Sequence, residues 1–313
     1  MKTAKHPGVL AVVGIVCATA LGGCASGRAV PIGAPAPVAT PVLDTATQEH
    51  LPITAYELTP LEGAQENYLV KRLQQRCMSE FGLTYLPGLS TSSVSLGARI
   101  IEEIESRRYG VSDPVAVRTY GYQMPAWTMG TSAPIAIGSL PKPVQTVLLG
   151  TAKNYAGRSI PTGGCLAQAG QELEQIGVSA TTQQTGGQDV SSLAGAIRSN
   201  DFQRAQSDPR VLKVFAKWSA CMHTYGYSYA TPFDATGDPR WSAPGPAGSA
   251  EIRTAERDLA CGQTVNLFGV EFAVESDYED ADIARNAQAM AQAKAEVASE
   301  GADLTRAMAA YGN

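Results

Sequence analysis

The sequence has little histidine: three residues in 313, with His6 and His50 near the N-terminus and His223 alone in the remainder. A Ser-His-Asp relay would have to use His223, and no Gly-x-Ser-x-Gly elbow presents a serine to it. There is no Cys-x-x-Cys, no His-Glu-x-x-His, no Gly-x-Gly-x-x-Gly and no phosphate-cradling glycine loop. The motifs of zinc hydrolysis, dinucleotide binding and nucleotide hydrolysis are thus missing, and we expect no metal and no cofactor. Basic clusters are missing too. Lys and Arg number 24 against 29 acidic residues, a balance that argues against nucleic acid as a partner. Beyond residue 23 no stretch approaches twenty apolar residues, as a membrane span requires, and proline does not recur after Pro246.

What is present is a nine-residue stretch used twice. Cys77-Met78-Ser79-Glu80-Phe81-Gly82-Leu83-Thr84-Tyr85 and Cys221-Met222-His223-Thr224-Tyr225-Gly226-Tyr227-Ser228-Tyr229 share the pattern Cys-Met-x-x-aromatic-Gly-x-[Thr/Ser]-Tyr. Each follows a helix-like run, and glycine just past such a run ends a helix in the left-handed conformation. The cysteine and the aromatic four residues on share one face of that last turn. Each stretch is followed by one lone cysteine, Cys165 or Cys261. Four cysteines allow three pairings, and we favour Cys77–Cys165 and Cys221–Cys261, against metal ligation or a Cys-His pair. Closing loops of that size restricts the unfolded chain by roughly 3.5 to 4.5 kcal/mol each in the entropy model.

The N-terminus reads as a processed leader. Lys2 and Lys5 make a basic start, and Gly8 to Leu21 gives an apolar segment too short for a stable span. Leu21-Gly22-Gly23-Cys24 resembles the lipobox of bacterial lipoproteins, which implies cleavage of residues 1–23 and a lipid on Cys24. Loss of Lys2 and Lys5 leaves 22 basic side chains against 29 acidic, net about −7. Residues 24–60 are rich in Pro, Ala, Val and Thr, and we read them as an extended tether.

The remainder reads as mainly α, in two similarly built halves, 61–180 and 189–313. Thr181 to Gln188 links them. In the first half, helices are expected over 61–81, with Leu69, Leu73 and Cys77 in phase, and over 96–108, with Ile100, Ile101 and Ile104 inward. Asp113-Pro114 opens a third, Val144 to Leu149 is a short one, and Cys165 starts another that ends near Ile176. In the second half Asp208-Pro209 opens a helix with Val211, Val214, Phe215 and Trp218 inward. Ser249 should cap a helix carrying Ile252, Ala255, Leu259 and Gly262. An Ala-rich helix or hairpin runs from Asp282 to Ala310, and Gly269 is a candidate break before it. The acidic run Glu275 to Asp282 matches no calcium loop; it reads as a solvated helix start with Ser276 and Glu279 as a capping box. Long Pro/Gly-rich loops join these elements.

No catalytic residue is assigned. Ser139-Leu140-Pro141-Lys142 has the Ser-x-x-Lys spacing of penicillin-interacting enzymes, but its prolines disfavour the helical turn that chemistry needs. Tyrosine and tryptophan on loops can line a groove, which makes Tyr122, Trp127, Tyr227, Tyr229 and Trp241 the candidate binding residues.

Arg108-Tyr109-Gly110, Gly121-Tyr122, Gly163-Gly164-Cys165, Trp218-Ser219-Ala220-Cys221-Met222, Gly226-Tyr227 and the set Glu251, Ala255, Asp258 and Cys261 accompany the lipobox. Together they resemble secreted lipoproteins of actinobacteria whose activity is uncharacterised. The resemblance implies an envelope location, extracytoplasmic and lipid-anchored, with bridged cysteines; it brings no mechanism. The expectation is a non-enzymatic binding module for an envelope protein or wall component. The alternatives are a solute-capturing lipoprotein of a transporter and a carboxylate-based hydrolase.

Overall fold

Helix signals written into the sequence account for most of the backbone. The computed structural model describes residues 39–129, 136–178, 193–242 and 244–312, all within one unit spanning Pro35–Asn313. The leader, Cys24 and the linker Thr181 to Gln188 lie outside the described residues. Eleven α-helices are found among the described residues, and the only strands there are the two-residue pair β1 (Asn154–Tyr155) and β2 (Arg158–Ser159). The fold is mainly α.

Helix α1 (Pro60–Glu80) starts with a capping box: Glu62 N–H donates to Thr59 Oγ1 at 3.3 Å, and Thr59 N–H donates to Glu62 Oε2 at 2.8 Å. It buries Leu69, Leu73 and Cys77, and it packs against α2 (Ser92–Ser106), α4 (Lys142–Leu149), α5 (Gly164–Gln175) and α11 (Ala287–Tyr311). Helix α3 (Pro114–Tyr120) is capped by Asp113, which accepts from the Val115 and Ala116 N–H groups. Although it lies in the first half of the chain, α3 docks on α9 (Ser249–Val265).

The second assembly is α6 (Leu193–Gln206), α7 (Pro209–Thr224), α8 (Pro232–Thr236), α9 and α10 (Leu267–Arg285). Helix α7 is capped by Asp208 and buries Val211, Val214, Phe215, Trp218 and Met222. The main core forms where these meet Phe268 and Val274 of α10 and Tyr109, Val117 and Tyr122 from the first half. Because α3 packs on α9 and α11 returns to α1, the two halves interlock and do not stand apart.

Both repeated stretches end a helix in the same way. Gly82 and Gly226 have φ of +69° and +86°, and the next residues, Leu83 and Tyr227, donate back to Met78 O and Met222 O at 3.2 Å each. Cys77 is bridged to Cys165 and Cys221 to Cys261. The two copies differ at the aromatic: Phe81 is buried, whereas Tyr225 is 48% exposed under the Arg257 guanidinium.

Five expectations are corrected by the structure. Residues 39–60 are not a spacer: Leu43, Leu51 and Ile53 are buried, and Pro52–Tyr56 forms a 3-10 turn packed on α10. We call this segment the strap. In α2 the buried positions are Val94 and Ala98, and Ile104 is 53% exposed. Ser249 does not cap α9; its N-cap is Gly248, and Ser249 is already helical. Helix α10 runs through the acidic run, with its breaks at Asn266 and Asn286, and Glu275, Asp277 and Glu279 are buried instead of solvated. At Gly269, an added Cβ would sit 2.0 Å from Pro41 O, so this glycine admits the strap and leaves the helix unbroken.

Candidate functional site

Glu271, Glu275 and Glu279 recur every four residues on α10, so they stack on one helix face, and all three are fully buried. Buried carboxylates need partners. Arg108, at the end of α2, supplies the middle one: its Nε donates to both Glu275 oxygens at 3.0 Å, and its Nη2 also bonds Oε1. The Tyr109 hydroxyl donates to Glu275 Oε2 at 2.7 Å. Glu271 accepts from Gln206 Nε2 at 3.1 Å, and Glu279 accepts from Ile53 N–H at 3.0 Å. Burial, reinforced by the charge of Glu275, pushes Glu279 up to about 8, and burial raises Glu271 well above its ordinary value. Against its own burial, Arg108 is held charged by its bonds to Glu275.

Arg198, on α6, is 4% exposed and bridges two acids. Its Nη1 donates to Glu57 Oε2 of the strap at 2.8 Å, and its Nη2 to Glu105 Oε2 of α2. Arg108 Nη2 donates to Arg198 O at 3.2 Å, which joins the two arginines into one network. Burial raises the Glu57 carboxyl, and the neighbouring Arg198 opposes the rise.

This network floors a groove of about 1210 Å³. Its walls are the strap, α2, α3 and the 3-10 turn Ala126–Met129. Tyr109, Arg108 and Arg198 lie at its base, while Tyr120 and Trp127 stand on the α3 side. The Arg99 guanidinium lies over the Trp127 ring, 4.5 Å from its centroid, and shows that this indole face accepts a cation.

The five candidate aromatics do not converge. Only Trp127 lines the groove. Tyr122 stacks on Trp241 at 6.1 Å, and Tyr227 on Tyr229 at 6.4 Å. They pack against the main core instead: Trp241 Nε1 donates to Ala235 O at 2.8 Å, and the Tyr229 hydroxyl donates to Asp238 at 2.7 Å. Beneath them Asp258 is buried and accepts from Trp218 Nε1 at 2.8 Å. Burial lifts Asp258 to about 7, and Trp218 and the Tyr122 hydroxyl beside it oppose the rise. The Tyr122 hydroxyl and Asp258 Oδ2 are neighbours without good hydrogen-bond geometry.

His223 is exposed on the last turn of α7. Ser139 donates to Ala136 O at 2.7 Å and sits in a separate 3-10 turn ahead of Lys142, so the two are not on one helical turn. Among the described residues no group of three His, Cys, Asp or Glu side chains converges to hold a metal ion. Nor, among them, is any helix long and apolar enough to cross a membrane. Two disulfides indicate an oxidising, extracytoplasmic environment. Sequence reading missed Arg108, Arg198, Glu57 and Glu105 as site residues. Their one local signal is that charged residues at 103, 105, 107 and 108 crowd a helix end. No family model, no curated protein and no solved structure matches this chain.

Proposed function

We propose that this chain is an extracytoplasmic, lipid-anchored binding module, and that the groove between the strap, α2 and α3 is its binding site. The groove is the observation that carries the reading. It is large enough for a ligand of several residues or sugar units, and its floor is preorganised by the Arg108–Glu275 and Arg198–Glu57–Glu105 bonds. A rigid floor lowers the ordering cost of binding. The anchor is Cys24, on the lipobox resemblance, and the bridged cysteines suit export. The ligand is an envelope protein or wall component met at the membrane surface.

The acids of the groove floor favour binding over hydrolysis. Glu57 and Glu105 are both engaged by Arg198, which ties up the carboxylates of the floor.

In-cell crosslinking of the native chain beside a Cys24→Ser form tests the reading, with mass spectrometry of the captured material. A stoichiometric partner seen with the anchored form, and lost on Trp127→Ala, is the expected result. Robust hydrolase activity abolished by a single Ser or Asp substitution would overturn it.

A further inference from the structure

One wall of the groove lies over a buried carboxyl group. Glu279 is fully buried; its Oε2 accepts from Ile53 N–H of the strap, and its Oε1 has no hydrogen-bond partner. The chain above it is one segment thick. Ile53 is fully buried, whereas the next residues, Thr54 and Ala55, are exposed, and Thr54 lines the groove. Water therefore reaches Glu279 once the strap lifts, without α10 unfolding. The strap is held lightly enough for that. Between residues 51 and 58 it buries Leu51 and Ile53 alone, in a cluster with Ala194, Ile197 and Met290, while Leu43 is fastened separately at Asn266. Segments with few buried apolar side chains open before the core does.

The charges packed around Glu279 do not compensate it. On α10 itself, Glu275 lies one turn before it, and Asp282 is taken by Arg204 and Arg285. On α6, Arg198 is engaged by Glu57 and Glu105, and Asp201 by Arg204. Arg108, at the end of α2, is engaged by Glu275. Helix α11 brings Lys294, which lies over the Tyr56 ring of the strap at 5.8 Å from its centroid. Each of these cations is already engaged. Burial, and then Glu275, raise the Glu279 carboxyl to about 8, against the Ile53 bond, Arg108 and Arg198. In water the same group titrates near 4.5, so its ionisation favours whichever arrangement admits water. Glu57, also raised by burial, adds an effect of the same sign.

We propose that residues 51–57 form a gate worked by the ionisation of Glu279. They close on the protonated carboxyl and lift from the carboxylate, and the groove loses its strap wall when they lift. An occupant of the groove is thus held in acid surroundings and released in alkaline ones. The gate stands on the strap and α10 alone; the release rests on the groove being the binding site proposed above.

Amide hydrogen exchange of the full chain tests it, read on peptides across residues 51–57 from about pH 5 to about pH 9 and divided by the intrinsic exchange rate at each pH. Protection should fall by roughly tenfold per pH unit up to about pH 8 and level off above it. Peptides of α7 are the control: they exchange through global unfolding and should stay better protected than the strap at every pH. Glu279→Gln should remove most of the slope in the strap. Glu271→Gln should leave it, because Glu271 bonds Gln206 and not the strap. Equal protection in the strap and α7 at every pH would mean that the strap opens only by global unfolding, which overturns the gate. A flat profile in the wild type overturns it too, and so does a slope that survives Glu279→Gln. The wild-type profiles decide the matter even if Glu279→Gln fails to fold. No ligand enters this experiment, so its failure leaves the groove reading untouched. A crosslinked partner insensitive to Trp127→Ala would instead remove the groove, and the release with it, but not the gate.

Discussion

Ile53 donates its backbone N–H to Glu279 Oε2 at 3.0 Å, across 226 residues of sequence, and both residues are fully buried. This bond ties the strap to the acidic face of α10. The strap is one wall of the groove, so the state of α10 bears directly on the shape of the site.

Burial of Glu279 makes stability depend on pH, and the Ile53 bond opposes the shift without cancelling it. Glu279 titrates near 4.5 in an unfolded chain and near 8 here, so folding takes up a proton between those values. The contribution is full below about pH 4.5 and is lost as pH rises through 8. Glu279→Gln keeps a carbonyl acceptor for Ile53 without a charge. We expect the melting temperature of the wild type to fall between pH 6 and 9, and the substitution to flatten that fall without abolishing it, since Glu271 is raised as well. Equal slopes in the two proteins would refute this.

Gly269 sets how closely the strap can approach. In Gly269→Ala the new Cβ meets Pro41 O at 2.0 Å and Asn266 Oδ1 at 2.5 Å. Asn266 Nδ2 donates to Pro41 O at 2.8 Å and Asn266 Oδ1 accepts from Leu43 N–H at 3.1 Å, so both bonds are lost together with the burial of Leu43. A destabilisation of about 2–4 kcal/mol follows from one buried leucine and two hydrogen bonds. Limited proteolysis should cut near residues 39–50 faster than in wild type, and an unchanged digestion pattern would count against the docked strap.

Arg198 holds two acids that would otherwise repel. Arg198→Met takes the guanidinium from between Glu57 and Glu105, and breaking a set centred on a buried cation costs roughly 3–5 kcal/mol. Adding Glu57→Gln should recover part of the loss, because one of two neighbouring like charges is removed. Urea denaturation of the single and double variants measures this; additive losses would show that the three residues are not coupled.

Each disulfide closes one loop, with separations of 88 and 40 residues. In the entropy model either removal costs about 4 kcal/mol. Paired Cys221→Ala and Cys261→Ala should therefore lower the melting temperature about as much as paired Cys77→Ala and Cys165→Ala. Non-reducing peptide maps must contain Cys77–Cys165 and Cys221–Cys261 fragments and no crossed ones.

What was legible in the sequence is whatever is decided within one helical turn. Asp113 with Pro114, and Asp208 with Pro209, start helices because cap and first turn are adjacent in the chain. Gly82 and Gly226 stop them because left-handed backbone is a property of one residue. The apolar stripe of α7 also reads directly, since its period is local. Tertiary structure alone decided which charged residues go inside. Glu275 is buried because Arg108, 167 residues away, meets it, and no local pattern distinguishes that from a solvated acidic turn. The strap folds onto α10 for the same kind of reason: Leu43, Leu51 and Ile53 are too few to mark a core, but α6 and α10 offer them one. The groove is likewise bounded by segments far apart in the chain. Local spacing fixes backbone conformation, whereas the cost of burying a charge or an isolated apolar side chain depends on partners that only the completed fold brings near.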